Sequence, residues 1–185
     1  MGIDVGALII ILIMGILLIL TFYIIGVYNK LLDVRNKAID KFNPIDTELN
    51  RLGHLLSDLV KTIKNDIKYE DKLIMEIDTI AGEIINANSI NNKIKLFEQS
   101  LQVIDKLINL LQTYPKLKSN NDFKKFQKDI NQIKNKINYA SPFYNDMALN
   151  YNNLINEFPA NTVAMVFKFT KLNYFKWINS NIGGD

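Results

Sequence analysis

The feature that most constrains this chain is a run of 23 residues, Val5 to Val27, with no charged side chain and a strong bias to Ile and Leu. At 1.5 Å of rise per residue a helix over that run is about 34 Å long, enough to cross the hydrocarbon core of a bilayer with some tilt. A cleaved signal peptide would have a basic flank, a shorter apolar core and a small-residue cleavage site. Met1-Gly2-Ile3-Asp4 carries no basic side chain, and no such site follows the run. The reading is therefore a retained single-pass anchor that takes the lipid bilayer as its first partner. Lys30, Arg35, Lys37 and Lys41 follow it, whereas Asp4 is the only side-chain charge before it. The positive-inside rule then places residues 1–4 outside and the rest of the chain in the cytoplasm. Gly2 and Gly6 are four apart, but Gly2 lies before the span, and Gly6, Gly15 and Gly26 within it include no such pair, so the small-residue helix-dimerisation motif is missing from the span and a homo-oligomer stays open.

Behind the anchor there is room for one domain of ordinary size, residues 28–181, and a short tail, 182–185. The net charge of +3 is spread among nearly equal acids, which gives no nucleic-acid footprint. The absence of cysteine removes disulfides, thiolate metal sites and cysteine nucleophiles together.

The domain reads as helix throughout. Ala38, Phe42, Ile45, Leu49, Leu52, Leu56, Leu59 and Ile63 step by four and three, a heptad seam of the coiled-coil kind. A second stripe runs through Leu73, Ile77, Ile80 and Ile84. It resumes at Ile90, Ile94, Phe97, Leu101, Ile104, Ile108 and Leu111, so the pattern is one helix with a register slip or two helices broken near Asn86 to Asn92. The third stripe passes from Phe123 through Phe126, Ile130, Ile133, Ile137, Ala140, Tyr144, Met147, Tyr151 and Leu154 to Phe158. Tyr114-Pro115 and Phe158-Pro159 close helices, while Pro44 and Pro142 fall inside them and predict bends or interruptions. The expected fold is all-α: an N-terminal transmembrane helix, then an elongated antiparallel (up-and-down) bundle of three long helices plus a shorter C-terminal helix.

Several short strings resemble the LemA family of bacterial membrane proteins. They are Tyr28-Asn29 with Arg35-Asn36, Ile45-Asp46 with Leu49, Tyr114-Pro115 with Leu117-Lys118 and Phe123, and Tyr144-Asn145 with Tyr151-Asn152, Ile155 and Phe158-Pro159. Phe167, Phe169, Tyr174 and Phe175 follow in the family's order, with Lys168 where the family has glycine. The resemblance implies an up-and-down bundle with a fourth, C-terminal helix and a cytoplasmic domain at the bacterial cytoplasmic (inner) membrane. It also implies a role in membrane organisation or biogenesis, and it implies no reaction.

No catalytic, metal-binding or cofactor-binding residue emerges. His54 is the only histidine, Asp46 with Glu48 and Glu70 with Asp71 are not spaced to share one helix face, and no serine has a nucleophile's surroundings. The expectation is a non-enzymatic scaffold with an unnamed protein partner, or, as the alternative, an envelope sensor. Tyr144, Asn145, Tyr151 and Asn152, seven apart on one face, read as tyrosines in the seam with polar partners on a neighbouring helix, or as a partner-binding groove. Lys30, Arg35, Lys37, Lys171, Lys176 and Trp177 are candidates for membrane-surface contact, with core packing and snorkelling lysines as the competing reading of the last three.

Overall fold

A computed structural model describes residues 5–63, 71–112 and 121–176. Five helices lie among them: α1, Val5–Ile63; α2, Asp71–Asn86; α3, Ile90–Gln112; α4, Asn121–Leu154; and α5, Ala160–Val166. The described residues contain no strand. Helix α1 is a single rod of 59 residues, about 90 Å at the standard rise. Its apolar start is long and apolar enough to cross a membrane, and none of it is buried against the rest of the chain. From Leu31 onward the same helix becomes the spine of the bundle.

The seam on α1 is buried at every position read from the sequence, Ala38 through Ile63. Partners on α1 and α4 run in opposite order: Arg51 with Asp129 (3.4 Å), Glu48 with Lys136 (2.6 Å), and the ring of Phe42 with that of Tyr144 (5.5 Å between centroids). Helix α2 lies against α1 at Gly53, where an added Cβ would stand 2.8 Å from Ile85 Cγ1 and 3.1 Å from the Ala81 carbonyl oxygen. That glycine is what lets the two helices approach so closely. Helix α3 begins beside Asp46 and Asn50, both of which hold Lys93 Nζ. Farther along, Lys106 meets Glu76 of α2 at 3.2 Å.

These contacts divide the bundle. Beyond about Asp46, α1 and α4 are joined by α2 and α3. Nearer the apolar start of α1, α5 and the segment after it pack in their place, and only the first turns of α3 meet that segment, at Asn91 and Phe97. Helices α2 and α3 are separate, as one of the two sequence readings had it. The Asn92 amide donates to Ser89 Oγ (3.2 Å), so Ser89 caps the start of α3. Pro44 and Pro142 interrupt neither α1 nor α4. Each removes one backbone hydrogen bond at an exposed position; opposite Pro142 the Asn138 carbonyl accepts from Ser141 Oγ (3.4 Å), and Asp40, opposite Pro44, is exposed.

The C-terminal helix differs from expectation. Helix α5 has only seven residues and ends in a Schellman turn: Phe169 N–H donates to the Ala164 carbonyl (2.9 Å) and Lys168 N–H to that of Met165 (3.2 Å). Lys168 sits in the left-handed region, φ 56°, as that turn requires. Residues 169–176 are then non-helical and lie along the bundle as a strap.

Two end-of-stripe readings also shift. The buried line on α4 passes through Ser141 and Ala148 and is extended by Ile155 just past the helix, while Phe158, expected in the seam, lies farther beyond the end of α4 and is 85% exposed. Of the second stripe, the Leu111 side chain lies outside those described.

Candidate functional site

The strap is held by side-chain amides that act as a neighbouring strand would. Asn152 Nδ2 donates to the Leu172 carbonyl (2.8 Å), and Leu172 N–H donates back to Asn152 Oδ1 (2.9 Å). Asn145 repeats the pattern with Phe175, both bonds 2.9 Å. From the other side, Asn91 of α3 donates to the Lys171 carbonyl and accepts from Asn173 N–H, both at 2.8 Å. A carboxamide carries a donor and an acceptor in one plane, so each asparagine satisfies both polar groups of a backbone that has no ladder partner.

The tyrosines complete the clamp. Tyr144 Oη donates to the Asn173 carbonyl (2.8 Å) and Tyr151 Oη to that of Thr170 (3.0 Å). Asn152 Nδ2 also donates to Tyr174 Oη (2.8 Å). Below this polar layer the rings are apolar ballast: Phe175 lies 5.8 Å from Tyr144, 6.0 Å from Phe97 and 6.2 Å from Phe42. Burial pushes the Tyr144 hydroxyl well above the usual phenol range, with Tyr174 adding to the shift. Burial raises Tyr151 as well, and the Arg35 charge opposes it.

Alternation in the motif follows from α4's geometry. Residues 144 and 151 point into the seam two turns apart, and residues 145 and 152, rotated about 100° further, face the strap. The four candidates Tyr144, Asn145, Tyr151 and Asn152 are thus brought together, but their polar partner is strap backbone and not a neighbouring helix. Sequence reasoning missed Asn91. Its only signal was membership of the Asn-rich stretch between α2 and α3. A groove of about 940 Å³ follows the strap, lined by Asn91, Lys95, Glu98, Asn152, Asn156 and Asn173 among others.

The membrane-surface candidates are scattered. Lys30 and Arg35 are exposed on α1 just past the apolar stretch, and Lys37 pairs with Asp33 at 2.7 Å. Lys171 and Lys176 are exposed on the strap, Lys176 meeting Glu98 at 3.1 Å. Trp177 lies outside the described residues. His54 is exposed on the flank of α1. Of the acids considered for catalysis, Asp46 pairs with Lys93 and Glu48 with Lys136 and Arg51, Asp71 is exposed at the start of α2, and Glu70 lies outside the described residues.

Helices α2 to α5, the strap, the Tyr-Asn clamp and α1 from Lys41 onward fall within residues 41–182, the stretch matched by the model of the LemA family. The chain belongs to the LemA family. The match begins at Lys41, so the family-like string around Tyr28 and Arg35 lies outside it. No curated protein matches the chain significantly.

A second groove, about 610 Å³, opens between α1 and α4 on the face away from the strap. It is lined by Lys41, Pro44, Glu48, Lys136, Tyr139 and Phe143. Tyr139 and Phe143 are both exposed, with ring centroids 5.9 Å apart.

Proposed function

We propose that this LemA-family protein is a non-enzymatic scaffold, tethered to the bacterial cytoplasmic membrane through Val5–Val27, whose up-and-down bundle binds other proteins on the cytoplasmic side. The observation that carries the reading is the continuity of α1. One helix supplies both the apolar stretch and the spine of the bundle, with no intervening linker. A bundle joined in this way is held at a fixed attitude to the bilayer, which suits a platform better than a freely diffusing binder. The exposed Tyr139–Phe143 pair beside Pro44 offers a partner an aromatic surface of the type that dominates interface energetics.

In-cell photo-crosslinking from Tyr139, Phe143 and Lys37 tests the proposal. Reproducible adducts to the same protein at Tyr139 and Phe143 are expected; a chain that fractionates with soluble protein, or a defined turnover by the purified chain, contradicts it.

The same continuity favours one alternative, an envelope sensor that relays a signal along α1 to a cytoplasmic effector. Replacing Val5–Val27 by an unrelated apolar helix in register separates the two: a scaffold keeps its partner and its output, whereas a sensor keeps the partner and loses the response.

A further inference from the structure

Four large apolar side chains are left in water at one end of the bundle. Phe158 is 85% exposed, Met165 80%, Val166 70% and Phe167 50%. Phe158 lies on the turn before α5, Met165 and Val166 on its last turn and Phe167 just after it, and their place in the molecule is fixed along α1. The Phe167 ring stands 4.8 Å from that of Tyr28, and Phe169 stands 5.7 Å from it. Tyr28 is the residue immediately after the apolar stretch. Helix α4 carries the chain towards the same end of the bundle, with Phe158 just beyond it. Phe42 and Tyr144 are in contact on oppositely directed helices, so Leu154 at the end of α4, ten residues on from Tyr144, corresponds to Leu32, ten residues back from Phe42, and Phe158 follows in the turn beyond it.

Clustered apolar side chains of this size on an exposed face mark an interaction surface, and an aromatic at the end of a span marks the headgroup level. Two exposed cations neighbour them in the chain, Lys30 two residues past Tyr28 and Lys168 next to Phe167, against one exposed acid, Glu157; Lys168 holds a left-handed conformation that glycine adopts at no steric cost.

We infer that the turns at Phe158 and at Met165–Phe167 are seated in the lipid interface, so that the base of the bundle rests in the same bilayer that α1 crosses. The occupant is fixed by continuity: a surface in ring contact with Tyr28 cannot avoid the headgroup layer if Val5–Val27 spans the membrane, the reading on which this inference rests. Apolar side chains enter the acyl boundary while Lys30 and Lys168 meet anionic headgroups, the division of labour of an interfacial amphipathic element. A platform fixed at two points, the span and this base, cannot swivel about the span.

The natural absence of cysteine allows the test to be made on the full chain. Single variants Ile16→Cys, Phe158→Cys, Val166→Cys and Met75→Cys are labelled with an environment-sensitive fluorophore and reconstituted into phosphatidylcholine–phosphatidylglycerol vesicles. Quenching is read from aqueous iodide and from nitroxide-bearing lipid. The inference predicts that labels at 158 and 166 behave like that at 16, with iodide quenching several-fold below that at 75 and strong quenching by the lipid nitroxide. If 16 is lipid-quenched while 158 and 166 behave like 75, the seat in the interface is wrong and the tether stands. If 16 also behaves like 75, the tether itself is wrong and the inference falls with it.

Discussion

Beyond Asp46 the bundle is four helices whose apolar stripes bury one another, and the approach of α1 to α2 at Gly53 is tight enough to exclude a methyl group. Nearer the apolar stretch it is two long helices, a seven-residue helix and a strap whose backbone is read by asparagine and tyrosine side chains. In the far half each helix satisfies its own polar backbone, so burial needs only shape. In the near half the strap has no internal partners, so the chain must supply amides from outside at fixed positions. A helical surface therefore tolerates substitution by bulk, whereas the strap's support depends on particular functional groups.

The largest effect follows from breaking the clamp at its centre. Asn152 is 6% exposed and makes three of the strap's hydrogen bonds. Asn152→Ala leaves a buried N–H and C=O of Leu172 without partners, and a loss of about 2–4 kcal/mol is expected by denaturant titration, with exchange protection lost in the strap first. Asn152→Asp keeps the shape and the acceptor but removes the donor, and is expected to rescue only part.

The corresponding break in the far half is steric. Gly53→Ala pushes a methyl group against Ile85 and the Ala81 carbonyl, at an expected cost of about 1–3 kcal/mol. Its signature is regional: faster hydrogen exchange in α2, with the amides of Leu172 and Phe175 unchanged. A uniform loss across both halves would show that they do not differ in the way described.

Lys168→Gly sharpens the comparison in the stabilising direction. The substitution relieves the left-handed strain at the turn that launches the strap, and a gain of about 1 kcal/mol in the midpoint analysis is expected.

The smallest effect is on pH dependence, and its sign differs between the halves. The near-half phenols Tyr144 and Tyr151 keep their protons more tightly in the fold than in the unfolded chain. Their contribution is complete below the ordinary tyrosine value of about 10 and is lost as pH rises beyond it. In the far half, burial lowers the Lys134 ammonium, with Asp105 opposing. Folding there releases a proton, so stability rises with pH between the lowered value and the ordinary lysine range. Denaturant titrations of Tyr144→Phe and Lys134→Met across alkaline pH should each flatten one of these opposite slopes.

The far half was largely legible in the sequence because helix packing writes itself as periodicity. The seam from Ala38 to Ile63 is buried as read, whereas the Ser89 cap that starts α3 went unread among the asparagines around it. The near half was legible only in part. Tyr144 and Tyr151 at a spacing of seven gave the buried face. Nothing in the pattern revealed that Asn145 and Asn152 grip a backbone, since any sequence can supply a backbone. The strap itself was misleading. Phe169, Leu172 and Phe175 turn inward every third residue, a spacing that one helical turn shares with a threefold extended chain. The decisive signal was Lys168, whose left-handed conformation ends α5 and which, being a lysine, does not announce it. Phe158 was misassigned for a related reason: the heptad count continued past Leu154, where α4 stops.

Amide hydrogen exchange on the full chain in lipid nanodiscs, resolved at Leu172, Asn173 and Phe175, tests the clamp most directly. The account predicts that these three amides, outside any helix, exchange as slowly as those of α4 around Tyr144 and Tyr151, and that Asn152→Ala releases Leu172 before α4 opens. Exchange at the rate of an unstructured peptide in the unmodified chain would mean that the strap is not part of the bundle, and would contradict the account.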